Sequence, residues 1–154
     1  MARKINLENT KSEKHDNFMG LFRDFVMKVF FRFIRVGTTM KTTVTSSTKE
    51  IDISEEGPTV LIGERINPTG KKKLAEALQQ EDFEVVCREA AEQVKAGAGI
   101  LDVNVYCPGV DEIRMLPRVL ERVMDTVDVP LCLDSSNPKA LEAGLKVYDG
   151  KALV

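Results

Sequence analysis

The chain has 154 residues, about one domain's worth, with 22 Lys+Arg against 24 Asp+Glu and a formal net charge of −2. That balance and a pI near 5.6 exclude a dedicated nucleic-acid binder, which carries a basic surplus. Hydrophobic residues at 43% and charged residues at 30% exclude a disordered or membrane-embedded chain. Three cysteines (Cys87, Cys107, Cys132) make no C-x-x-C pair and leave one over, so the expectation is no disulfide framework and a reducing cytoplasm. His15 is the single histidine, which removes His-rich zinc sites and His-based triads.

The totals conceal a break. Residues 1–39 hold eight basic and four acidic residues, and residues 40–154 hold 14 and 20. Six of the seven phenylalanines also fall in the first part. Within it, Phe18 to Val36 carries 13 apolar residues and five charges (Arg23, Asp24, Lys28, Arg32, Arg35). Each charge costs roughly 3 kcal/mol at a bilayer centre and each apolar residue returns only about 0.5, so spanning loses. Asp24, Lys28, Arg32 and Arg35 share one helical face, which predicts an amphipathic basic helix able to lie on a membrane or a partner. The segment lacks the cleavage site of a secretory signal. Met40 begins what reads as a natural protein start, so an upstream extension or misassigned start codon is the favoured reading of 1–39 over a membrane anchor. Residues 40–58, rich in Thr and Ser and closing on Gly57-Pro58, read as a linker or a short strand.

From Thr59 onward, strands and helices alternate. Val60-Leu61-Ile62 is the first apolar strand, running into Gly63-Glu64-Arg65-Ile66-Asn67 and broken at Pro68-Thr69-Gly70. Lys71 to Gln80 forms a short helix. From Asp82, Phe83, Val86, Cys87, Ala90, Ala91 and Val94 recur at helical spacing, and Gly97 supplies a stop. Ile100 to Val105 is the second strand. Asp111 caps a helix carrying Ile113, Leu116, Leu120, Val123 and Val127, which Pro117 must kink unless it sits in the first turn. Val129 to Asp134 is the third strand. Ser136 or Asn137 caps a last helix with Pro138 in its first turn, Leu141, Leu145 and Tyr148 along it and Gly150 after it. Ala152-Leu153-Val154 opens a fourth strand, where the chain stops in what reads as truncation.

Apolar strands alternating with amphipathic helices predict a parallel sheet with crossover helices, either doubly wound or part of a (β/α)8 barrel. Ligands of such folds bind at the C-terminal strand ends. Those ends carry Glu64, Arg65 and Asn67, then Asp102 and Asn104, then Asp134, Ser135, Ser136 and Asn137. Alternation puts Asp102 with Asn104 and Cys132 with Asp134 on shared faces, pointing inward if helices cover Leu101, Val103, Leu131 and Leu133. Ser136 and Asn137 read as helix caps. Asp102 and Asn104 precede the end of an apolar strand, where burial is costly without a purpose. Glu64 and Arg65 are left open as a structural ion pair, since alternation does not say which of the two faces inward.

Ile62 to Gly70, Leu101-Asp102-Val103-Asn104, Leu131 to Asn137 and Ala140 to Lys146 together resemble, in order and spacing, the pterin-binding domain of methyltetrahydrofolate:corrinoid methyltransferases. That domain also occurs within cobalamin-dependent methionine synthase, and dihydropteroate synthase is a more distant relative. The resemblance runs from Thr59 to Val154 and implies the N-terminal half of a TIM (β/α)8 barrel, incomplete, behind the N-terminal amphipathic helix. It implies that Asp134, Asn104, Asp102 and Asn67 hold the pterin of methyltetrahydrofolate as substrate. It further implies transfer of the N5-methyl group to cobalamin or another corrinoid carried by a partner protein, and a homodimer for the full-length protein. No metal is expected at the residues present. The family's asparagine after the fourth strand would fall just beyond Val154, and Tyr106-Cys107 stands where many relatives have glycine. Absence of the Pro-Asp-Ser-Phe continuation after the first strand favours the methyltransferase branch over dihydropteroate synthase. A truncated, non-catalytic fragment of the same barrel is the competing expectation, and the chain alone is expected to be inactive.

Overall fold

A computed structural model describes residues 40–154, which form one compact unit. The amphipathic helix and membrane contact expected over residues 18–36 lie outside the described residues. Two sheets are present. The first pairs β1 (Lys41–Thr45) antiparallel with β2 (Glu50–Ser54). The second is parallel, in the order β3 (Ile62–Ile66), β4 (Ile100–Val103), β5 (Leu131–Leu133). Helices α1 (Lys72–Gln79), α2 (Glu84–Lys95), α3 (Glu112–Thr126) and α4 (Pro138–Val147) fill the connections. This is a mixed α/β arrangement compatible with part of a (β/α)8 barrel. Among the described residues no helix is long and apolar enough to cross a membrane.

The parallel sheet follows from its side chains. Leu101, Val103, Leu131 and Leu133 are fully buried, packed with Val86, Ala90, Leu116, Val119, Leu120, Val123 and Ala140 from the helices. Each of the leucine and valine side chains contributes about 1.5–3 kcal/mol relative to exposure. On α3, Met115, Leu116, Val119, Leu120 and Val123 make the buried stripe, and Asp111 accepts the Ile113 N–H at 3.0 Å as its cap. Asn137, rather than Ser136, caps α4 by accepting the Lys139 N–H at 3.1 Å. The expected fourth strand begins where Leu153 N donates to Leu131 O and Leu133 N donates to Leu153 O.

Several expectations are corrected. The first strand is Ile62–Ile66, so most of the apolar run Val60-Leu61-Ile62 precedes it: Leu61 stays outside it, 57% exposed, its carbonyl accepting the N–H groups of Gly99 and Ile100. Its polar centre is tolerated because Glu64 and Arg65 lie at the sheet edge, exposed, with a register shift between Gly63 and Ile66. Ile113, Leu145 and Ala91 are exposed, since the helices turn them away from the sheet, whereas Val127, the C-cap of α3, packs half-buried against the core. Pro117 sits inside α3 beyond its first turn, leaving the Ile113 carbonyl without a helical donor on the solvent side. Cys87 is half-buried rather than core.

Residues 41–54, read from the sequence as linker or short strand, are a β-hairpin tied to the N-terminal end of the parallel sheet. Thr45 and Lys151 exchange main-chain hydrogen bonds at 3.0 and 3.1 Å. Gly150 is required there, because its φ of +155° is combined with a Cβ position that would collide with the Thr45 carbonyl. Ser47 and Thr48 donate to Asp128, just before β5. Tyr148 is the central bolt: its buried hydroxyl donates to Thr45 O at 2.7 Å and accepts the Leu131 N–H at 3.0 Å. Replacing it by phenylalanine strands the Leu131 N–H in the interior and leaves Thr45 O with the Lys151 N–H alone. Tyr148→Phe is therefore expected to cost about 1–3 kcal/mol in denaturant unfolding; an unchanged midpoint would show the bolt to be dispensable.

Candidate binding site at the strand ends

The alternation that buries Leu101, Val103, Leu131 and Leu133 sends Asp102, Asn104, Cys132 and Asp134 to the opposite face, at the C-terminal end of β4 and β5. Asp102 and Cys132 are register partners across the parallel ladder. Two residues further along, Asn104 Nδ2 donates to Asp134 Oδ2 at 2.9 Å, while Asn104 Oδ1 accepts the Tyr106 N–H at 2.8 Å. The amide is thereby oriented: its oxygen is committed to the loop and its nitrogen to the carboxylate. Asp134 is exposed to solvent but held on one side by this bond, and among the described residues its Oδ1 accepts no hydrogen bond.

Asn67, at the end of β3, uses its Oδ1 to accept the Thr69 N–H at 2.9 Å, a local Asx turn. Its amide nitrogen and one lone pair of the oxygen are left for a ligand. Of the four residues singled out from the sequence, Asp102, Asn104 and Asp134 thus stand together, whereas Asn67 is half committed to shaping its own loop. Ser135, counted among the polar strand-end residues, instead donates to Glu112 Oε2 at 2.6 Å and accepts the Asn137 N–H at 3.1 Å, bracing the start of α4. Tyr106 is 62% exposed beside the Asn104–Asp134 pair.

The open question of Glu64 and Arg65 is settled by the packing of α2. Arg65 turns toward that helix and pairs with Glu89, its Nε 2.5 Å from Oε2, while its main-chain N–H donates at 2.7 Å to Oε1 of the buried Gln93. Gly63 makes room: a Cβ there would stand 2.5 Å from Gln93 Oε1. Glu64 therefore faces the other way, and its charge reaches both Asp102 and Cys132. The sequence placed Glu64 at the end of the first strand but not on a side of it, because the register shift in β3 decides its side.

Electrostatically this end is acidic. Burial pushes the Asp102 carboxyl above the usual range, and the charges of Asp134 and Glu64 add to that, against a hydrogen bond from the Cys132 thiol. The same burial, the hydrogen bond to Asp102 and the surrounding carboxylates push the Cys132 thiol up to about 12. It is a protonated hydrogen-bond donor at neutral pH, not a nucleophile. Among the described residues no three His, Cys, Asp or Glu side chains converge as a metal-binding group. What the arrangement offers is carboxylate oxygens and oriented amides, suited to a ligand edge rich in N–H donors.

Residues 63–154 match the protein family described as pterin binding enzyme. Over 111 residues, 72% of this chain, the sequence is 30% identical to the methionine synthase of Mycobacterium tuberculosis (strain ATCC 25618 / H37Rv). Over 116 residues, 75% of this chain, it is 28% identical to the methionine synthase of Mycobacterium leprae (strain TN). These alignments cover 9% and 10% of the two relatives, so the chain spans about a tenth of their length. Both findings agree with the resemblance to the pterin-binding domain of methyltetrahydrofolate:corrinoid methyltransferases.

Two measurements probe the electrostatics. A carboxyl with a raised folded-state pKa binds its proton more tightly in the native state, so stability falls as pH rises from the unfolded value of 3.8 through the folded one. Asp102→Asn removes that penalty while keeping an acceptor for the thiol. Its melting temperature should exceed that of the parent at pH 7, with the gap closing below pH 4; a lower value at pH 7 would contradict the assignment. For Cys132, a thiol near 12 against an ordinary 9 predicts alkylation at pH 8 about a thousandfold slower in the native than in the denatured chain, read by peptide mass spectrometry.

Proposed function

Because this chain belongs to the pterin-binding enzyme family, we propose that it supplies the pterin-binding portion of a methyltransferase acting on methyltetrahydrofolate. In this reading residues 59–154 provide the first strands of a (β/α)8 barrel in the cytoplasm, and the N5-methyl group passes to the cobalt of a corrinoid carried by a partner protein or domain. The observation that carries the reading is the Asn104–Asp134 pair, on the same face as Asp102 at the C-terminal strand ends. That is where parallel α/β folds bind ligands.

The residues divide the work. Asp134 takes N–H donors of the pyrimidine edge of the pterin, in a charge-assisted bond worth about 1.5–3 kcal/mol. Asn104 holds Asp134 in place and is itself held by the Tyr106 main chain. Asp102 and Cys132 lie one layer deeper and set the local charge. Asn67 offers its amide nitrogen to a ring carbonyl or nitrogen, its oxygen being used by Thr69. The corrinoid supplies a strongly nucleophilic metal that accepts the methyl group. Because an amine is a poor leaving group, departure of the methyl group from N5 is assisted by hydrogen bonds that favour a proton there. The methionine synthase relatives support this reading over dihydropteroate synthesis.

Calorimetric titration with methyltetrahydrofolate provides the test. Binding near the micromolar range, about −8 kcal/mol, is expected, and Asp134→Asn should weaken it by about ten- to a hundredfold. Absence of heat with the parent chain would favour a non-binding fragment, and equal affinity in the variant would remove Asp134 from the site.

A further inference from the structure

We propose that Gln93, on the helix side of the sheet and outside the strand-end site, is a positioning residue: its buried amide holds a bulge in β3, and that bulge turns Asn67 to the binding face. The inference rests on the pterin reading above for its ligand and on the packing of β3 against α2 for its geometry.

Strict alternation along β3 would leave Asn67 on the wrong side. Gly63 faces α2, where a Cβ would meet Gln93 Oε1 at 2.5 Å and Leu101 Cδ2 at 3.0 Å. Period two from Gly63 puts Arg65 and Asn67 on that same helix side and Ile66 on the face of Asp102. The protein does otherwise: Ile66 is fully buried in the core with Leu101 and Val103. Arg65, immediately before it, also lies on the helix side, paired with Glu89 of α2. Two consecutive residues on one side mark a bulge, and the register agrees. Gly63 pairs with Leu101 and Ile66 with Val103, three steps on β3 against two on β4. The extra residue shifts the phase of alternation by one. Asn67 therefore leaves the strand on the face opposite Ile66, which is the face of Asn104 and Asp134.

A bulge takes main-chain groups off the ladder, and here side chains satisfy them. Arg65 has no register partner on β4; its N–H donates at 2.7 Å to Gln93 Oε1, and its carbonyl accepts from Lys71 Nζ at 2.9 Å. The other half of the Gln93 amide is anchored in its own helix, Nε2 donating to Glu89 O at 3.1 Å. Gln93 is the one polar or charged residue buried among the described residues. An apolar side chain of the same length would fill the space but strand the Arg65 N–H, which favours regular pairing with β4 and the loss of the bulge. Gly63, having no Cβ, gives the amide its room. The competing account is a plug that stabilises the contact of α2 with β3 and does nothing for binding.

Amide hydrogen exchange and titration of methyltetrahydrofolate, applied to the parent, Gln93→Met, Asn67→Ala and the variant carrying both changes, separate the two accounts. Gln93→Met keeps the length and apolar contacts of the side chain and removes the acceptor. Expected are faster exchange of the Arg65 N–H and about three- to tenfold weaker binding, the size of one lost hydrogen bond. Acting through Asn67, the change should cost nothing further in the Asn67→Ala background, whereas it should add in full to the loss from Asp134→Asn. Gly63→Ala displaces the same amide with its Cβ; the same pattern is expected of it, and it replaces Gln93→Met if that variant does not fold. Parent-like affinity in Gln93→Met, or a loss of equal size with and without Asn67, would make Gln93 a structural plug and overturn the inference while leaving the pterin reading in place. Absence of binding by the parent would overturn both.

Discussion

Alternation along two short parallel strands is the constraint on which the remaining structure depends. Burying Leu101 and Val103 on β4 and Leu131 and Leu133 on β5 beneath the helices leaves Asp102, Cys132, Asn104 and Asp134 no choice of side. A slip of one residue in either strand would place carboxylates against the apolar stripe of α3, at a cost of several kcal/mol for each unpaired charge. The hydrophobic core and the polar site are therefore one arrangement seen from its two faces. Residues such as Val103 act on the site by being buried.

The two ends of the parallel sheet are treated differently. At the N-terminal end the hairpin of β1 and β2 is bolted down by Tyr148, by Thr45 with Lys151 and by Ser47 and Thr48 on Asp128, so the polar groups there satisfy one another. At the C-terminal end, among the described residues, Asp134 keeps one oxygen without a hydrogen bond and the Glu64 carboxylate makes none. Hydrogen-bonding capacity is thus spent at one end and retained at the other. That asymmetry is what a binding face requires: an acceptor already satisfied within the fold has little to give a ligand.

Family membership and site geometry bear on different questions. The match over residues 63–154 makes the chain a pterin-binding enzyme family member, and two mycobacterial methionine synthases are similar to it over about a tenth of their length. The geometry adds which atoms remain available. Asn67 is an example: it matches the family motif, yet its oxygen already closes a turn with Thr69, which fixes the amide and leaves its nitrogen as the uncommitted donor.

Local signals were legible wherever one residue type is demanded by chain geometry. The cap at Asp111, a cap at Ser136 or Asn137, Pro138 in the first turn of α4 and Gly97 after α2 were all readable, because they answer to the backbone nearest them. The grouping of Asp102, Asn104 and Asp134 was readable too, since period-two alternation is a property of each strand alone. The hairpin over 41–54, the role of Tyr148 and the side taken by Glu64 were not. Each depends on a partner far along the chain: Thr45 with Lys151, Tyr148 with Thr45 and Leu131, Arg65 with Glu89 and Gln93. Sequence by itself determined which faces of the strands are apolar and what chemistry stands at their ends. Tertiary structure decided which of those polar groups are used up within the fold and which stay free, because a hydrogen bond between residues distant along the chain exists only once packing has brought them within about 3 Å.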